Sequence, residues 1–177
     1  MPSGRTHDAI TFITAVPVFA GTYLVTRSVG TAAVVAAAYL FGGLMFGPDL
    51  DTVSVQHSRW SVFRFLWLPY RAFFKHRSMF SHGLIFGALL RVIYFLGVIT
   101  ILGIGVFILW NAANGGRAPE ILDVSRIWQR VGEYSREHFG QNILLLIFFG
   151  LWLGAAGHTI TDIAGSFIKT GRVAKFL

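Results

Sequence analysis

Four histidines and four acidic residues fall in three short polar clusters at the ends of apolar blocks. These candidate metal ligands are His7, Asp8, Asp49, Asp51, His76, His82, His158 and Asp162. The spacing of His158 and Asp162 puts both side chains on one face of a helix. The chain has no cysteine, so a metal must take imidazole and carboxylate ligands, which suit zinc, manganese, iron or magnesium. The pattern predicts a site for one or two divalent ions, with zinc as the leading candidate.

Each cluster also has a plainer interpretation. Asp8 could interact with the dipole of a helix that begins nearby, and Asp49 with Asp51 could simply end a helix. His57 and His138 are interpreted as surface residues with no part in the site. His158 with Asp162 is the pair that these alternatives explain least well.

The composition indicates an integral membrane protein. Of 177 residues, 54% are hydrophobic and only 13% are charged, whereas soluble domains carry about 25% charged residues. The net charge of +7 comes from basic residues that flank the apolar blocks, which fits anionic lipid headgroups. We therefore expect a membrane lipid as partner and no nucleic acid.

The apolar blocks predict an all-α membrane bundle of about four transmembrane helices in a single domain, 1–177. The predicted helices cover about residues 9–26, 29–47, 79–110 and 142–165. Residues 58–75 mix aromatic and basic side chains and predict a segment in the membrane interface. Arg91, deep in the third block, is expected to pack inside the bundle or to reach toward the interface.

Four crossings place all the polar clusters at one membrane face, because each lies at the matching end of its block. Nine Lys and Arg flank this face and five flank the other. The positive-inside rule then predicts that the clusters and both termini are cytoplasmic.

The motifs His7, Pro48-Asp49-x-Asp51, His76-Arg77 with Ser81-His82, and His158-x-x-x-Asp162 resemble the bacterial YdjM-type membrane-bound metal-dependent hydrolases. The opening Met-Pro-Ser-Gly-Arg-Thr-His-Asp and the insert Trp-Leu-Pro-Tyr-Arg at residues 67–71 resemble more closely a related family of uncharacterised metal-binding bacterial membrane proteins. The resemblance covers nearly the whole chain. Ser78 and Gly83 stand where the hydrolases usually have glycine and serine.

The resemblance implies location in the bacterial plasma membrane and, through a distant likeness to zinc-dependent phospholipases C, hydrolysis of a phosphoester. We expect a metal-dependent hydrolase that acts on a lipid or lipid-linked substrate. Arg77 is the candidate catalytic phosphate clamp, since guanidinium binds phosphate through two donors. The alternative is a non-enzymatic metal-binding membrane protein with a structural or partner-binding role. An ion transporter is a third and weaker interpretation, because transporter sites usually lie near the membrane midplane.

The orientation can be tested in the naturally cysteine-free chain. A single cysteine introduced as Arg5→Cys or Lys175→Cys is expected to react with a membrane-impermeant thiol reagent only after the membrane has been permeabilised. Labelling of either position in intact cells would show that the terminus lies outside, so the predicted orientation would be wrong.

Overall fold

The computed structural model describes residues 3–74, 78, 80, 83, 85–115 and 121–171. Within these ranges the secondary structure is helical. The α-helices are α1 (Gly4–Thr26), α2 (Val29–Leu44), α3 (Val55–Arg59), α4 (Leu68–Phe73), α5 (Phe86–Ala113), α6 (Ile121–Phe139) and α7 (Ile143–Thr170). Two 3-10 segments join them: Pro48–Asp51, called here the acidic turn, and Ser61–Trp67.

The helices form two compact units. The first comprises Met1–Arg91 with Leu145–Leu177, and the second comprises Val92–Leu144. All of the described candidate ligands belong to the first unit. That the whole chain behaves as one domain stays a prediction.

Three helices are long and apolar enough to cross a membrane: Gly4–Thr26, Phe86–Ala113 and Ile143–Lys169. The described residues thus support a membrane protein with three candidate spans. Helix α2 is apolar but has only 16 residues, a rise of about 24 Å, against a hydrocarbon core of about 30 Å. A fourth full crossing stays a prediction.

Helix α1 begins about five residues earlier than the predicted start near residue 9. The side chain of Ser3 accepts a hydrogen bond from the backbone N–H of Thr6, which caps the first turn. His7 therefore lies on the helix instead of before it. His7 and Thr11 are both buried, so this polar face of the helix points inward.

Helix α2 ends at Leu44 because side chains that follow the acidic turn take up its last carbonyl groups. Gln56 Nε2 donates to Gly43 O, Arg59 Nη1 to Leu44 O, and Trp60 Nε1 to Met45 O. The final carbonyls of a helix have no partner within the helix, so these three donors fix where α2 stops. They also fix α3 against it.

Helices α2 and α7 approach each other through glycines. A Cβ at Gly150 would lie 2.8 Å from the carbonyl oxygen of Val35, and a Cβ at Gly154 would overlap the carbonyl of Tyr39. Only residues without a side chain permit this backbone contact, as is common where helices pack in lipid. The close approach brings the second half of α7 alongside the end of α2.

The aromatic segment packs inward on one side and is exposed on the other. Trp67 and Tyr70 are fully buried, and the Trp67 ring contacts those of Phe46 and Trp60 edge-on. Val62, Phe63, Phe65 and Phe73 are exposed. The segment therefore closes part of the core while presenting an apolar outer surface, as an interfacial segment would.

Arg91 and His57 are both buried, although neither belongs to the ligand set. Arg91 is 2% exposed, which confirms that it packs inside the protein, and its charge interacts with Tyr70 and Asp51. The interpretation of His57 as a surface residue was wrong, since it is only 5% exposed. Its ring is covered because α3 lies flat against the rest of the first unit, and this burial, with the positive charges of Arg71 and Arg64, lowers the pKa of His57.

In the second unit, α6 is amphipathic. It borders a cavity of about 500 Å³ shared with α5 and lined almost entirely by apolar atoms. Trp128 Nε1 donates to Thr100 Oγ1 at 3.1 Å across this cavity wall. These contacts account for the apolar face of α6.

The glycine contact gives a test of the helix packing. Gly154→Ala is expected to destabilise the protein by about 1–3 kcal/mol, because the new methyl group overlaps backbone. Gly21→Ala is the matched control, since a Cβ there meets nothing within 4 Å. Thermal unfolding in detergent should show a lower midpoint for Gly154→Ala alone. Equal midpoints would contradict the close α2–α7 contact.

Candidate metal centre

Three buried side chains meet where the start of α1 lies beside the second half of α7. His7, His158 and Asp162 each offer one ligand atom, and these atoms all lie within 4.8 Å of one another. His7 Nε2 lies 3.2 Å from Asp162 Oδ1, and His158 Nε2 lies 3.7 Å from Asp162 Oδ2. The i,i+4 pair predicted from the sequence, His158 and Asp162, thus meets a third candidate ligand, His7, which precedes His158 by 151 residues in the chain.

Asp49 joins this group from the acidic turn. Its Oδ2 lies 3.3 Å from His158 Nε2. The hydroxyls of Thr52 and Ser54 donate to the backbone carbonyl of Asp49 at 3.3 and 2.8 Å, which holds the turn in shape. His158 Nε2 therefore lies close to two carboxylates, that of Asp162 on the same helix and that of Asp49 on the acidic turn.

The two imidazole rings are stacked. Their centroids are 3.9 Å apart and their planes differ by 16°. Since Nε2 of each ring also approaches Asp162, the two Nε2 atoms face the same side of the cluster. Stacking thus presents two nitrogen ligands to one point in space.

The spacings fit a tetrahedral metal site. With metal–ligand bonds of about 2.0–2.1 Å, neighbouring ligand atoms in a tetrahedron lie about 3.3 Å apart. The three nitrogen–oxygen distances of 3.2, 3.3 and 3.7 Å are close to that value. The ligand atoms are two imidazole nitrogens and a carboxylate oxygen that all lie within 4.8 Å of one another. Such a donor set suits a divalent cation, so the residues present fit one.

Gln56 is a supporting residue that the sequence did not reveal. Its Nε2 lies 3.2 Å from His158 Nδ1 and donates to Gly43 O at 2.8 Å. This contact fixes the orientation of the His158 ring, and loss of a group that orients a ligating histidine weakens metal binding. No sequence signal distinguishes Gln56, because its place depends on how α3 packs.

The cluster opens into a cavity of about 140 Å³. Its lining consists of Gly4, His7, Asp8, Asp49, Val55, Gln56, Arg59, His158 and Asp162. Asp8 is ion-paired with Arg59, so it lines the same cavity without belonging to the compact His7–His158–Asp162 group. Arg59 was also missed from the sequence, where it is one of several arginines in a basic stretch.

Asp51 lies apart from this cavity. It is buried, and its charge acts on Tyr70 and Arg91. Burial raises the pKa of the Tyr70 phenol, and the neighbouring charge of Arg91 opposes that shift. Asp51 therefore helps to balance the buried arginine.

Three predicted site residues, His76, Arg77 and His82, lie outside the described residues. Their roles stay predictions.

Comparison with known proteins gives a family. Residues 2–172 match the family described as uncharacterized metal-binding protein (DUF2227). The chain belongs to this family. It is also 30% identical, over 132 residues, to an uncharacterised protein of Aquifex aeolicus, an alignment that covers 74% of this chain and 89% of that protein. No solved structure matches the chain. A metal-binding family and a buried His/Asp cluster agree on the general nature of the site, and neither identifies the metal.

The ligand assignment predicts metal content. His158→Ala and Asp162→Ala are each expected to abolish stable retention of a divalent ion, and Gln56→Ala to weaken its affinity about 10–100-fold. His138→Ala, an exposed residue of α6, is the control. Elemental analysis of protein purified with metal supplied, followed by competition with a chelator, measures both effects. Full metal content in Asp162→Ala would show that this cluster is not the metal site.

Proposed function

We propose that this protein is a metal-dependent hydrolase of a phosphoester, lipid-linked, acting at the cytoplasmic face of the bacterial plasma membrane. The observation that carries the proposal is the open space beside the ligands. Structural metal sites are closed by their ligands, whereas catalytic sites keep a position for water or substrate. Here the four clustered side chains line a cavity of about 140 Å³, which leaves such a position.

In this proposal His7, His158 and Asp162 hold the metal, Asp49 lies beside His158 in the same cavity, and Gln56 keeps the His158 ring in position. A bound divalent cation supplies Lewis acidity, which polarises a phosphoryl group and makes water more acidic. Burial of His7, His158 and Asp162 limits competition from bulk water. Arg77 remains the candidate clamp for the phosphate, together with the basic residues of the aromatic segment.

The lipid would lie against the exposed aromatic surface of the first unit. Phe63, Phe65 and Phe73 are exposed on a segment that also carries Arg64 and Arg71. Apolar side chains with basic neighbours suit an acyl or isoprenoid chain below an anionic headgroup. The motif order shared with YdjM-type hydrolases supports the same reaction class by analogy.

The second candidate is a metal-binding protein without catalysis. It is favoured by the way in which the cluster joins α1, the acidic turn and α7, since a metal there would lock these three elements together. The family description names metal binding and no reaction. In this case metal removal would lower the stability of the fold and change nothing else.

An activity screen separates the two candidates. Metal-loaded protein in mixed micelles is expected to release phosphate or a phosphorylated headgroup from a phospholipid or an isoprenoid phosphate, and a chelator should stop the release. Asp162→Ala should be inactive and His138→Ala fully active. Inactivity toward every substrate, combined with strong stabilisation of the fold by metal, would favour the structural role.

A further inference from the structure

We propose that Arg59 is the anion-binding residue of the metal cavity and that the cavity accepts a single phosphate group. The assignment of that phosphate to a substrate rests on the proposed function. The binding of phosphate itself does not.

Arg59 is the one cation that lines the cavity among the described residues. Its Nη1 donates to Leu44 O at 2.7 Å, and its Nη2 donates to Asp8 Oδ2. Two contacts in different directions fix the plane of the guanidinium. A guanidinium has five N–H donors, so three are left for a ligand. The Arg59 side chain is 29% exposed, which leaves it accessible from the cavity mouth.

Asp8 acts as a tether in this arrangement. An arginine near a membrane surface can extend its side chain toward lipid headgroups. The ion pair with Asp8 prevents this and keeps the guanidinium at the metal cavity. This gives Asp8 a role in the site that differs from the metal ligand predicted from the sequence.

The charges of the cavity require this arginine. The lining contains three carboxylates, Asp8, Asp49 and Asp162, which would repel an anion. One divalent cation together with Arg59 balances them, so the metal-loaded cavity is formally neutral with neutral histidines. Without Arg59 the same cavity carries a negative charge, and phosphate would approach against it.

The size of the cavity limits what can enter. Pockets that enclose a drug-sized organic ligand measure about 300–1,000 Å³, and this one measures about 140 Å³. A phosphate group fits such a space, whereas a whole phospholipid does not. Arginine binds phosphate through two parallel hydrogen bonds. The remainder of any phosphate ester must therefore stay outside the cavity.

Phosphate binding to metal-loaded, full-length protein tests the proposal by calorimetry in detergent. Inorganic phosphate and phosphatidic acid in mixed micelles are the two probes. Arg59→Lys keeps the charge and can still donate to Leu44 O but loses the fork, so we expect at least about tenfold weaker binding of both probes. Arg130→Gln in α6 is the matched control, since Arg130 is exposed and does not line the cavity. Metal content and unfolding temperature are measured on every variant.

The double variant Asp8→Asn with Arg59→Gln removes both charges of the ion pair and serves if Arg59→Lys is poorly folded. It too should bind phosphate at least about tenfold more weakly at normal metal content.

Equal phosphate affinity in wild type and folded, metal-loaded Arg59 variants would overturn the proposal, as would failure of the wild type to bind either probe. Preference for phosphatidic acid would identify a lipid headgroup as the source, and equal affinity would show that the phosphate alone is recognised. Arg59-dependent binding without any hydrolysis would uphold this inference while refuting the proposed function.

Discussion

The structure depends on satisfying a group of buried polar side chains where α1, α7 and the acidic turn meet. Buried imidazole and carboxylate groups destabilise a fold unless they are paired with good geometry. His7 reaches Asp162, and His158 reaches both Asp162 and Asp49. The His7–Asp162 and His158–Asp49 contacts each join two different elements, so the registers of α1, the turn and α7 are set together. Displacing α7 would leave partners on both of the other elements unpaired.

Two features make this meeting point reachable. The glycines of α7 allow its backbone to touch α2, which brings His158 near the end of that helix. At the same end, Gln56 and Arg59 bond the last carbonyls of α2. Both side chains also line the metal cavity. Gln56 and Arg59 therefore both terminate α2 and line the cavity. Loss of the end of α2 would consequently change the shape of the cavity.

Sequence patterns identified the apolar blocks and the clusters that supply the buried ligands. They succeeded because hydrophobic periodicity and i,i+4 spacing are local properties. They placed the start of α1 too late because the Ser3 cap is a single side-chain contact, and they read His57 as exposed. They also passed over Gln56 and Arg59, because a helix of five residues has no periodicity that shows which face will be covered. Asp8 could not be separated from the other acidic residues before its pairing with Arg59 was known.

The distance along the chain between the partners of the site has a consequence for biogenesis. His7 lies in the first helix and Asp162 near the end of the last described one, so the pair cannot form while the intervening chain is still being synthesised. Until then the polar face of the first helix must be tolerated by the insertion machinery, by lipid or by a chaperone. A cation bound by His7, His158 and Asp162 would accordingly be acquired late, by molecules in which translation and insertion have passed Asp162.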